Sequence, residues 1–364
     1  MTDTLNIAVL GGDGIGPEVT AEALRALKTA GERFNFKVES ESALVGASAV
    51  RAGKQPLPDE TLKLCLASDA ILFGAVGDPA FGDLPPDQLP ERALLHLRKG
   101  LDLFANLRPV RPVPALLGAS SIKAEMLTGV DILIVRELVS GLYFGTPRGY
   151  GADEKGRFGF NTMRYHETEI VRVAKVAFDA ARKRKKKLCS ADKANALEVM
   201  QLWRETVTKL GKDSYPDIAL NHMYVDNCAM QLVQYPRQFD VLLAENMFGD
   251  ILSDIGAQIT GSLGMLPSAS IGGRVGLYEP VHGSAPDIAG KGIANPLAAI
   301  LSAGMLLTYS AGKLDAAKAI EDAVDAVLAD GYRTKDIASQ GGANVKVVST
   351  KEMGDAVVAK IRGK

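Results

Sequence analysis

The stretch that most limits how this chain can fold runs from residue 240 to residue 254. Val241-Leu242-Leu243-Ala244 follows Asp240 as a short apolar run, the mark of a strand buried on both faces. The sequence ENMFGDILSD (245–254) comes next, and Gly249 reads as the passage from strand into helix, with Asp250 at the helix start. Asp250 and Asp254 stand four apart, so their carboxylates share one helix face. Two acids on one face at the end of a buried strand are placed to hold a hard divalent cation. Taken by itself, the pair is more simply a helix cap with a solvated acid beside it. The rest of the chain has to decide.

A chain of 364 residues is too long for one simple core, so two domains or lobes are expected. An apolar content of 47 % supports a large interior, and a net charge of −1 gives no sign of a nucleic-acid partner. No apolar stretch is long enough to span a bilayer. The first residues lack the basic start and apolar core of a signal peptide, so a cytoplasmic protein is expected. Cys65, Cys189 and Cys228 are widely spaced without a Cys-x-x-Cys pattern, which argues against zinc or a disulfide framework.

From the N-terminus, residues 5–10 predict a strand, GGDGIGPE (11–18) a glycine turn, and Val19, Ala23 and Leu27 one face of a helix. The order Gly-x-Gly-x-Gly fits the Rossmann fingerprint poorly, although it allows close backbone approach to a ligand near Ile15. Residues 70–73 and 131–135 read as further buried strands. Between them, Glu91, Leu94, Leu95 and Arg98 fall on one helix face. A core helix there needs only the leucines; a site helix uses all four. Arg136 and Glu137 close one strand, and Asp192-Lys193 follow another, which is where α/β proteins bind ligands. Residues 140–165 read as a hairpin-like excursion suited to contact with another subunit. The basic run 182–187 is expected to be a solvated helix end.

Arg98, Arg108 and Arg136 are each ordinary surface residues on their own, but as a set they suit a dianionic substrate. Lys193 and Tyr143 are candidates for base and acid, since a nearby cation lowers a lysine pKa; Tyr143 is otherwise an interface aromatic. His282 is either a loop histidine or a cofactor contact. Asp287 can accept from a ribose diol and would repel a 2′-phosphate, favouring NAD over NADP.

Seven segments in order, GDGIGPE (12–18), LRKGLDLFANLRP (97–109), VREL with YFGTPRG (135–149), DKAN (192–195), YVDN (224–227), NMFGDILSD (246–254) and EPVHGSAPDIAGKGIANP (279–296), resemble the metal-dependent β-decarboxylating dehydrogenases of the isocitrate/isopropylmalate family. The resemblance covers nearly the whole chain. It implies a two-lobed α/β fold of that family rather than a Rossmann fold. The first, cofactor-side domain would be residues 1–103 plus 261–364, and the second 104–260, with an arm at about 140–165 that pairs across a homodimer.

By the same resemblance, Asp226, Asp250 and Asp254 are ligands of one Mg²⁺ or Mn²⁺ per active site, Asp226 coming from the partner subunit. Arg98, Arg108 and Arg136 grip the substrate carboxylates. Lys193, also from the partner subunit, takes the hydroxyl proton, and Tyr143 protonates C3. The NAD site is implied at His282, Gly283, Ser284, Ala285, Pro286, Asp287, Ile288 and Asn295, with Ile15 and Glu91, the latter facing the nicotinamide. Two leucines can bury an isopropyl group, worth roughly 1.5–3 kcal/mol, whereas a third carboxylate against Leu94 and Leu95 would be unpaired. This favours oxidative decarboxylation of 3-isopropylmalate to 4-methyl-2-oxopentanoate and CO₂, a step of leucine biosynthesis. The alternatives are D-malate, tartrate, isocitrate or homoisocitrate as substrate, or a catalytically silent binding subunit.

The chain departs from the family pattern at Ala196 (usually valine), Val139-Ser140 (usually Thr-Gly), Asp78 (usually glycine) and Ile255 (usually an acid). None of these removes an implied ligand.

Overall fold

The computed structural model describes residues 3–85, 88–118, 120–338 and 345–363. The chain divides into two compact units, Met1–Leu103 with Arg111–Thr128 and Ala257–Lys364, and Phe104–Val110 with Gly129–Gly256.

In the first unit, strands run in the order Phe36–Ser42, Asp3–Gly12, Ala70–Ala75, Gly276–Pro280, Pro267–Ile271. The first four are parallel and the last is antiparallel to its neighbour. All six residues of Ala70–Ala75 are buried, as an apolar run covered on both faces requires. Helix Gly16–Phe34 carries Pro17 in its first turn, where a missing N–H costs nothing, and buries Val19, Ala23 and Leu27. It packs against Leu297–Tyr309, a helix without a charged residue that is buried on nearly every side. Helices Leu314–Ala329 and Thr350–Ile361 complete the layer, the latter started by a Ser349–Glu352 capping box.

Residues 111–128, read from sequence with the second domain, belong to the first unit instead. Arg111 makes a two-pronged ion pair with Asp325 at 3.0 Å, and Arg333 donates to the Ala115 carbonyl at 2.7 Å. These tethers link positions more than two hundred residues apart and leave no local trace in sequence.

The second unit orders its strands Ala105–Val110, Ile132–Glu137, Val241–Ala244, Lys187–Asp192, Ala219–Tyr224. Ala105–Val110 is antiparallel to its neighbour and the others are parallel. Their C-terminal ends therefore share one edge, where Arg136, Lys193, Asn246 and Asp226 emerge or closely follow. Helices Glu167–Arg182 and Glu198–Ser214 pack together, burying Phe178 and Trp203. The excursion at 140–165 contains a two-stranded hairpin, Gly149–Asp153 with Gly156–Phe160. Its strands are exposed at every position but Gly151, and Tyr150 is 80 % exposed.

One local expectation is corrected. The helix after Val241–Ala244 spans Asn246–Thr260, so Gly249 lies inside it and Asp250 sits in its second turn rather than at its start. Glu245 caps the helix, its Oε1 accepting the Phe248 N–H at 2.7 Å. Glycine serves at 249 for a different reason: a Cβ there would meet the Arg136 side chain at 2.8 Å. Asp250 and Asp254 keep the four-residue spacing within the helix.

Candidate functional site

In the second unit, the acidic helix, two strands and the turn Gly141–Tyr143 bring Asp250, Asp254, Arg108, Arg136 and Tyr143 together. Arg136, only 2 % exposed, forms an ion pair through its NH1 with Asp250 Oδ1. Its Nε and NH2 both donate to Asn246 Oδ1, at 3.1 and 2.9 Å, which fixes the plane of the guanidinium. Arg108 donates from Nε to Asn106 Oδ1 at 2.7 Å and from NH1 to Ser253 Oγ at 2.5 Å. That NH1 lies 3.5 Å from Asp250 and 3.9 Å from Asp254. Tyr143 donates to Asp250 Oδ2 at 3.2 Å, and the Arg136 guanidinium lies 5.9 Å from its ring centre. Burial raises the Tyr143 phenol above its ordinary value, and the neighbouring Asp250 charge adds to the effect. The phenol is thus held in its proton-bearing form.

Lys193 and Asp226 stand together as a separate pair, Nζ to Oδ1 2.6 Å. The Lys193 hydrogen bond lowers the Asp226 carboxyl below its usual range. Among the described residues, no group of three or more His, Cys, Asp or Glu side chains comes together to hold a metal ion. One chain therefore unites Asp250 with Asp254 but does not add Asp226 to them. The donor chemistry fits a hard cation nonetheless: two carboxylates one helical turn apart, Asp250 part-exposed and Asp254 exposed, beside oriented arginines.

In the first unit, Arg98 is buried and donates from NH2 to Glu279 Oε1 at 2.9 Å. Leu94 and Leu95 are half-exposed on the same helix, Arg92–Gly100, and Glu91 precedes it, exposed. A Cβ at Gly77 would meet the Glu91 carboxylate at 2.7 Å, so glycine lets that acid fold over the loop.

The same unit holds a cavity of about 720 Å³ lined by Ile15, Leu263, Gly264, His282, Gly283, Ala285, Ile288, Ile293, Ala294, Asn295, Lys335 and Asp336. Six of the ten expected cofactor contacts are in that wall. Ser284 stands behind it, its carbonyl accepting the Ile15 N–H at 2.8 Å. Pro286 and Asp287 are exposed on the same loop. Burial pushes the His282 imidazole below its ordinary value, and its Nε2 has no hydrogen-bond partner among the described residues. An apolar wall with a few convergent polar groups is the usual form of a cofactor site.

Sequence reasoning overlooked several supporting residues. Asn106 is two positions from Arg108 on one strand face, a signal that period-two reading can find. Asp13 accepts from the backbone of Ala47, Ser48 and Gly77 at 2.8, 2.7 and 2.9 Å, tying two further segments to the glycine turn. Asn246, Ser253, Lys335 and Asp336 carry no such signal.

Residues 6–357 match the family described as isocitrate/isopropylmalate dehydrogenase. The chain is 59 % identical over 361 residues to a 3-isopropylmalate dehydrogenase of Ralstonia nicotianae, covering 98 % of this chain and 99 % of that one. It is 57 % identical over 355 residues to one from Gloeobacter violaceus, covering 97 % of each. Among solved structures, isocitrate dehydrogenase from Methylococcus capsulatus aligns with a TM-score of 0.86 at 34 % identity, covering 98 % of this chain and 99 % of that one. A β-decarboxylating dehydrogenase from Thermococcus kodakarensis gives 0.79 at 34 % identity, covering 99 % and 96 %.

Proposed function

The chain belongs to the isocitrate/isopropylmalate dehydrogenase family, and from that premise we propose that it oxidatively decarboxylates 3-isopropylmalate to 4-methyl-2-oxopentanoate and CO₂ in leucine biosynthesis. NAD is the hydride acceptor, and a divalent cation, Mg²⁺ or Mn²⁺, assists. The observation that carries the substrate assignment is the helix bearing Arg98, where Leu94 and Leu95 are the half-exposed apolar side chains. An isopropyl group covers them, whereas a third carboxylate would be desolvated without a partner.

Arg98, Arg108 and Arg136 bind the substrate carboxylates, the two buried in the second unit already oriented by Asn106, Ser253 and Asn246. Asp250 and Asp254, with Asp226 of a second subunit, would hold the cation, which would supply Lewis acidity to the substrate. Lys193 of a second subunit would take the C2 hydroxyl proton, and bound NAD would supply the hydride acceptor. Tyr143, kept protonated by burial and Asp250, delivers a proton to C3 after CO₂ departs.

A homodimer with shared active sites is supported by the exposed Lys193–Asp226 pair and by exposed apolar side chains on two elements of the second unit. Met230 and Val233 are exposed on Val225–Gln234, as are Tyr150, Phe158 and Phe160 on the hairpin. The cavity carrying Ile15 and His282–Asn295 is the NAD site, with Asp287 selecting against a 2′-phosphate. A cytoplasmic setting suits three free, buried cysteines.

The test is NAD reduction by the purified protein with Mg²⁺ or Mn²⁺, comparing 3-isopropylmalate, D-malate and isocitrate. A large kcat/KM preference for 3-isopropylmalate is expected. Comparable rates on D-malate would overturn the substrate assignment and direct attention to Ala196; no turnover of any of the three would overturn the reading as a whole.

A further inference from the structure

Beneath Arg136 lies a buried cluster that the chemistry above does not use. Glu137 and Glu245 are both fully buried at the ends of adjacent strands, and Oε2 of each stands 3.1 Å from the hydroxyl of Tyr165. The same hydroxyl oxygen accepts the Asn246 N–H at 3.0 Å.

A tyrosine hydroxyl has one proton to give and two lone pairs to accept with. With Asn246 on one lone pair, it can donate to one carboxylate and accept from one further donor. Two ionised carboxylates would leave lone pairs facing each other out of water, which is repulsive. The arrangement closes only if one glutamate keeps its proton. Both oxygens of Glu137 accept N–H groups, Val139 to Oε1 at 3.0 Å and Ser140 to Oε2 at 3.1 Å, which favours its ionised form. Glu245 directs Oε1 to the Phe248 amide and leaves Oε2 for Tyr165.

We propose that Glu137, Tyr165 and Glu245 form a one-proton hub, one glutamate protonated and the other ionised, that positions Tyr143 and Arg136. This rests on the roles given to those two residues above. Toward Tyr143, Glu137 pins the Val139 and Ser140 amides that begin the turn Gly141–Tyr143. The Tyr165 hydroxyl presses on that turn so closely that a Cβ at Gly141 would come within 2.4 Å of it. Toward Arg136, Asn246 is held by Tyr165 and by the Ser140 carbonyl at 3.1 Å, and its Oδ1 in turn grips the guanidinium. Trp203 fixes the Tyr165 ring edge-on at 5.4 Å. Burial raises both carboxyls, Glu137 to about 7, while amide hydrogen bonds, from Val139 and Ser140 to Glu137 and from Phe248 and Met247 to Glu245, oppose it. The three are positioning residues, acting through the turn and through Asn246.

The experiment joins infrared spectroscopy to kinetics on the full chain. Wild type at neutral pH is expected to show the carbonyl band of a buried protonated carboxylic acid, and Glu245→Gln to lose it. A glutamine amide at position 245 can donate to Tyr165 without a carboxyl proton, so Glu245→Gln keeps kcat within about threefold. Glu245→Ala and Glu137→Gln, which break the chain of donors, lower kcat about 10- to 100-fold with KM for NAD unchanged. A band that survives in Glu245→Gln, or an equal kcat loss in Glu245→Gln and Glu245→Ala, would overturn the hub. Should Glu245→Ala not fold, the band alone decides. If wild type turns over no hydroxyacid, the functional reading fails while the infrared comparison still tests the proton.

Discussion

The charged cluster of the second unit and the cavity of the first are built in opposite ways. Around Arg136 and Asp250, the guanidinium groups are placed by other side chains: Asn246 and Asp250 for Arg136, Asn106 and Ser253 for Arg108. Around Ile15 and His282–Asn295, backbone turns shape an apolar wall, with the Ile15 N–H on the Ser284 carbonyl. Buried charge has to be paired atom by atom, because leaving one group unmatched costs its whole desolvation. An apolar wall needs only shape. The cluster is therefore sensitive to the loss of a single charge, and the cavity to a change of backbone.

The largest effect is expected at Asp250→Asn, which removes a cation ligand and the counter-charge of Arg136. kcat/KM should drop at least about a hundredfold, roughly 2.7 kcal/mol, with the fold retained by circular dichroism. Full activity in this variant would dissolve the contrast, since the cluster would then tolerate loss of its central charge.

Gly14→Ala tests the other region. The glycine sits at φ +58, and a Cβ would meet the Ser284 carbonyl oxygen at 1.9 Å. About 1–3 kcal/mol of strain should appear as weaker NAD binding, measured calorimetrically. Unchanged affinity would mean that this turn does not shape the cofactor wall.

Replacing Leu94 and Leu95 together with serine is expected to raise KM for 3-isopropylmalate about tenfold, less than full burial would give because both are half-exposed in the free protein. An unaltered KM would remove them from the specificity surface. The smallest effect belongs to Arg111→Met, which breaks an exposed pair with Asp325. A stability loss within about 1 kcal/mol is expected by chemical denaturation. A much larger loss would show that this tether holds residues 111–128 in the first unit.

Much of the architecture was legible because it is local. Apolar runs at 70–73 and 241–244 became buried strands, and the uncharged stretch after Pro296 became a buried helix. The spacing of Asp250 and Asp254 placed them on one face wherever the helix began. Residue chemistry also marked Arg108, Arg136, Tyr143 and Lys193, since few other groups grip carboxylates or exchange protons there.

What the tertiary structure alone decided is which distant residues meet. The helix starts at Asn246 rather than at Asp250 because Glu245 caps it and Arg136, more than a hundred positions earlier, occupies the space beside Gly249. Asn246 gained a role only when the sheet set the strand before it, Val241–Ala244, next to that of Arg136. The same adjacency brought Glu137 and Glu245 to one tyrosine. Periodicity reports which face a side chain takes. Strand order, which fixes the partner across that face, is set by the whole chain and is written in no single stretch of it.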